Sequence, residues 1–126
     1  MPTLHSYDYA YIHVVPRVER CEFIHAGVIL FCRTQRFLAA QIELDEARLH
    51  ALAPSLSIAL VRTHLALIPR ICAGAGPIGQ LERAERFHWL VAPHSTVIQS
   101  SPVHSGLCQE PRTALEHLVA QMRSGE

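Results

Sequence analysis

The stretch CEFIHAGVILFC, Cys21 to Cys32, constrains the fold of this chain more than any other. A half-buried strand alternates apolar and polar residues, because successive side chains point to opposite faces. Beyond Ile24 both faces of this stretch are apolar. Such a strand must be covered on two sides, which predicts a central strand with material packed above and below it. Gly27 in its middle predicts a bulge or the close approach of another backbone.

The flanking segments extend this strand into a sheet. YDYAYIHVVP, Tyr7 to Pro16, reads as a strand with Tyr9, Tyr11, His13 and Val15 on one face and Ala10, Ile12 and Val14 on the other. Pro16 ends it or marks an edge. Arg33 to Arg36 suits a hairpin turn, and Phe37 to Glu43 suits a third strand. The first half therefore predicts an antiparallel meander.

The second half turns helical. Asp45 is a natural N-cap, with Leu44 and Leu49 spaced as a hydrophobic staple, so a short helix should end before Pro54. A second helix is expected from near Ser55 towards Cys72. Ile58, Val61, Leu65, Ile68 and Cys72 trace one face, and Leu60, His64, Leu67 and Ile71 the next. That pattern predicts a largely buried helix, with Pro69 kinking or tightening its last turn. Residues 81–92 read as a helical turn passing into a strand. Ser95 to Gln99 is strand-like, and Pro102 interrupts it. Pro111 suits a first helical position, followed by the stripe Leu115, Leu118, Val119 and Met122. The expected fold is α+β: an antiparallel sheet of about five strands with three helices packed on it, in a single domain over residues 1–126.

Charge and cysteine usage narrow the function classes. Eleven arginines balance 11 acidic residues, so a general attraction to nucleic acid or to an anionic membrane is not supported. Near-neutral charge permits self-association into a homo-oligomer. There is no Lys, so every cation other than His is a planar fork suited to carboxylate or phosphate. None of the four cysteines forms a C-x-x-C pair. With no signal peptide apparent and no apolar run long enough to span a bilayer, a reduced, cytoplasmic protein is expected.

Reactive chemistry has thin support. AGAGPIG, Ala73 to Gly79, lacks dinucleotide-fingerprint spacing and follows a helix rather than a strand, so it reads as a helix-terminating loop with no cofactor. The nine histidines form no H-x-x-x-H pair, and no metal site is expected even though His88, His94 and His104 could converge. His104 could act as general base for Ser95, Ser101 or Ser105, but no G-x-S-x-G elbow is present. The more economical reading is an anion pocket. Arg17, Arg20 and Arg86 supply guanidinium forks. Glu22, Ser95, Thr96, Gln99 and His104 supply further polar groups in a shared hollow. The alternative is an internal network pairing Arg20 and Arg86 with Glu19, Glu22 or Glu85.

Three segments, YDYAYIHVVPRVERCEFIHAGVILFC, RFHWLVAPHSTVIQSSPVHSGLC and ALEHL, together resemble a bacterial domain-of-unknown-function family, number 3037. The resemblance runs from Tyr7 to Leu118. One departure is His25, where the family pattern usually has Asn. Members of this kind are often encoded beside HipA-like kinases, so the resemblance implies a partner or substrate relationship with such a kinase. Three readings are open. One is a non-enzymatic binding or accessory module, docking through Tyr9, Tyr11 and Trp89. Another is a small hydrolase or transferase using His104 with Ser95 or Thr96 and an Arg clamp. The third is self-assembly alone, through pairing of an exposed sheet edge.

Overall fold

A computed structural model of the chain describes residues 3–17, 22–93, 95 and 97–124. Its frame is a five-stranded antiparallel sheet built on one long strand, β1 (His5–Arg17). β2 (Glu22–Cys32) pairs along one side of β1, and β3 (Phe37–Ile42) pairs with β2, which completes the predicted meander. The other side of β1 is shared. β4 (Ile98–Ser100) pairs with its later residues and β5 (His104–Cys108) with its earlier ones.

β4 and β5 amount to one strand broken at Pro102. Between the pairs Ile12↔Ser100 and Tyr9↔His104, two residues of β1 face three of the β4–β5 segment. Proline has no N–H to give the ladder. Ser101 repairs the gap: its N–H donates to the Tyr11 carbonyl and its Oγ accepts from the Tyr11 N–H at 2.9 Å.

The bulge expected at Gly27 is present and governs both faces of β2. Ile12 lies opposite Gly27 and His13 opposite His25, so Ala26 is the extra residue. The alternation switches there. Ile24 and Ala26, then Ile29 and Phe31, face one core; Val28, Leu30 and Cys32 face the other. A Cβ on Gly27 would stand 2.6 Å from the Gln41 carbonyl oxygen, so β3 approaches too closely for any side chain.

Each face carries its own core. On the first face lie α1 (Glu46–Leu52), α2 (Ile58–Cys72) and α3 (Arg83–Val91), contributing Leu49, Val61, Leu65, Cys72, Phe87 and Leu90. On the second lies α4 (Pro111–Arg123), with Leu115, Leu118, Val119 and Met122 buried against β2 and β1's tyrosines. Burying each such side chain contributes about 1.5–3 kcal/mol before the entropy cost of ordering it. Asp45 caps α1 as predicted, accepting from the Arg48 N–H at 3.0 Å, and Pro111 opens α4.

Three expectations are corrected. Among the described residues there are four α-helices, not three, because residues 83–91 are helical throughout and do not pass into a strand. Phe87 is 2% exposed and Leu90 9%, three apart on one helical face; Trp89, which a strand would have placed beside Phe87, is 39% exposed. The second helix starts at Ile58 behind the N-cap Ser57 and runs through Pro69 to Cys72. Its second apolar face is buried only at its end: Leu60 is 63% and Leu67 46% exposed, whereas Ile71 is half-buried against the first core. No described helix is long and apolar enough to cross a membrane.

Candidate functional site

The expected site residues fall on two sides of the sheet. Arg86 sits on α3, on the first face. Its Nε donates to the Leu81 carbonyl at 2.9 Å and its Nη1 to the Cys72 carbonyl at 2.8 Å and that of Ile71 at 3.4 Å. Arg86 thus supplies a donor to the Cys72 carbonyl at the end of α2, where helices lack internal donors, and ties it to the Leu81 carbonyl. His104 lies on the second face, its ring 5.5 Å from that of Tyr9. The hollow expected to join Arg86 with His104 is not formed, because the sheet stands between them.

The remaining residues are dispersed. Ser95 closes a tight turn before β4, its Oγ accepting from the N–H groups of Val97 and Ile98 at 3.2 Å. Ser105 Oγ donates to Asp8 Oδ1 at 2.9 Å, and Ser101 is held by Tyr11. None of these three hydroxyls bonds to His104, so the pieces of a nucleophile–base pair stand apart. Gln99 lies across from His13, and Glu22 across from the backbone of Arg17 at the end of the β1–β2 ladder. Arg20 and Thr96, with Glu19 and His94, lie outside the described residues, as does the side chain of Arg17. Trp89 is on the opposite face from Tyr9 and Tyr11. Among the described residues, no three His, Cys, Asp or Glu side chains converge on a metal position.

The polar chemistry that does converge sits on the second face. Tyr7, Tyr9, Tyr11 and His13 alternate along β1 on that side, flanking α4. Because of the bulge, β2 adds His25 and Phe23 to the same side beyond Val28. The rings form a continuous series. Successive centroids are 5.7 Å apart from Tyr7 to Tyr9, 5.9 Å to Tyr11, 5.3 Å to His25, 4.9 Å to His13 and 4.1 Å to Phe23. These spacings suit tilted and offset ring contacts. Gly106 on β5 leaves room for the Tyr7 ring, which a Cβ there would meet at 2.6 Å.

The far end of this series is electrostatically unusual. His13 Nε2 and His25 Nδ1 are buried with no hydrogen-bond partner among the described residues. Burial pushes His13 down to about 4, and a charge on His25 would push the same way. His25 is lowered first by burial and then by the Arg48 guanidinium. Both imidazoles are therefore neutral at pH 7. Phe23, stacked on His13, is 47% exposed.

Sequence reasoning singled out the odd face of β1 but missed its partners on β2. The available signal was Gly27: a bulge there turns His25 and Phe23 to the tyrosine side. Comparison with curated proteins and with solved structures finds no match. A family model described as "Protein of unknown function (DUF3037)" matches residues 9–122, nearly the whole chain, and the chain belongs to that family.

Proposed function

We propose that this chain is a non-enzymatic binding module that recognises a protein partner through the ring-lined end of the second sheet face. The observation that carries the reading is Phe23. A large apolar ring, 47% exposed, closes a series of six packed rings, and among the described residues nothing covers its outer face. Aromatic residues with rigid backbones are typical interface anchors, since they bury much area and lose little side-chain entropy. Here the backbone is the beginning of β2, a strand and not a loop. The serines that would serve a hydrolase are spent on turns and strand ends, which also favours binding over covalent chemistry.

A HipA-like kinase, the neighbour implied by the family resemblance, is the first partner to test. The tagged chain is expected to retain that kinase when both are produced together, and Phe23→Ser should abolish retention without unfolding the chain. Retention that is absent in the parent chain, or unchanged in Phe23→Ser, would refute this reading.

A further inference from the structure

A hollow of about 460 Å³ opens beside Phe23, between the start of β2, the β3–α1 connection and the end of α4. That volume lies within the range of small-ligand sites, about 300–1,000 Å³. Phe23, Ile24, Leu44 and Met122 give it apolar surface; Arg48 and Arg123 give it cations. The acids on its rim are already engaged. Glu43 Oε1 accepts from Arg123 Nη2 at 2.9 Å, and Asp45 Oδ1 accepts from the Arg48 backbone N–H as the cap of α1. The Arg48 guanidinium makes no hydrogen bond or ion pair with any described residue, and its charge reaches His25.

We propose that this hollow seats a carboxylate carried on an apolar group, with Arg48 gripping the carboxylate oxygens and Phe23 and Met122 holding the apolar part. A guanidinium fork matches two carboxylate oxygens. A phosphate dianion fits less well. It would bring two negative charges to a hollow with one unpaired cation and with Glu43 and Asp45 on the rim. The seat rests on the reading of this face as a binding surface, since Phe23 and His25 belong to both. The carboxylate can come from a free small acid or from the apolar C-terminal residue of a partner chain.

The test is an NMR titration of the isotope-labelled full chain with 4-phenylbutyrate, with N-acetyl-Leu-Phe as free acid, and with the same dipeptide as its C-terminal amide. Saturable shifts at Phe23, His25 and Arg48 are expected with the acids. The amide should bind more weakly by about tenfold or more, and Arg48→Gln should weaken the acids by a similar factor. Equal binding of the two acids points to a free acid as the source; tighter binding of the dipeptide points to a chain terminus. No saturable shift at about 10 mM acid, an amide that binds as well as the acid, or unchanged binding in Arg48→Gln would each overturn the seat. Kinase retention by Arg48→Gln and by Phe23→Ser separates the two proposals. Acid binding that fails while Phe23→Ser still abolishes retention removes the seat and leaves the binding face standing.

Discussion

His13 and His25 face each other across the β1–β2 ladder with ring centroids 4.9 Å apart, each with a buried nitrogen that has no partner among the described residues. The pair exists because the bulge at Gly27 turns His25 to the tyrosine side. Two imidazoles this close and this dry cannot both be charged without mutual repulsion and lost hydration, so the folded chain keeps them neutral.

That neutrality predicts a pH-dependent stability. Unfolded, a histidine gains its proton near pH 6.5; folded, His13 resists until about 4. Between those values the unfolded chain binds more protons, so stability is full above about pH 6.5 and falls as pH drops towards 4. His13 is only half-buried, and solvent screening reduces its share to ~1–2 kcal/mol. Urea midpoints at pH 7 and pH 5 should show the fall, and His13→Phe should remove part of it. A variant with the parent's full pH slope would exclude His13 as the cause.

Gly27→Ala should destabilise by about 1–3 kcal/mol, because its methyl would meet the Gln41 carbonyl oxygen of β3. Chemical denaturation measures this directly. A loss under half a kcal/mol, about what a free surface site gives, would mean that the β2–β3 approach is looser than described.

Two leucines contrast burial with exposure. Leu115→Ala, fully buried where α4 meets the sheet, should cost about 2–5 kcal/mol, whereas Leu60→Ala on the exposed flank of α2 should cost under about 1. Equal costs would show that the α2 flank is covered in solution.

Arg86 is predicted to be structural. Arg86→Gln removes its bonds to the carbonyls of Leu81, Ile71 and Cys72 and should cost about 1.5–3 kcal/mol. Kinase retention measured below the variant's melting temperature should be unchanged. Loss of retention in a folded Arg86→Gln protein would restore Arg86 to the binding surface.

Cys72 should resist alkylation. Burial pushes its thiol up to about 12, although Arg86 pulls the other way. At pH 8 the native chain should leave Cys72 unmodified by iodoacetamide, with modification only on unfolding. Peptide mass mapping reads the outcome, and rapid labelling in the native state would contradict it.

The local rules of the sequence determined much of this fold. Apolar residues on both faces of Cys21–Cys32 required a strand with two cores. Asp45, Pro111 and the Leu115–Met122 stripe placed their helices, because caps and periodicity act over a few residues. The segment around Arg86 was not legible: alternation and helical spacing coexist there, and only burial of Phe87 and Leu90 against the sheet selects the helix. The candidate site was less legible still. Arg86, Ser95 and His104 carry suitable groups, yet a sheet separates the first from the last. His13, the Phe23–His25 stretch and Arg48 lie in three separate segments and come together only in three dimensions. Side-chain chemistry is written residue by residue, but which face each group serves depends on strand register. One extra residue at a bulge reverses that face, and no local pattern records which neighbour it will then meet.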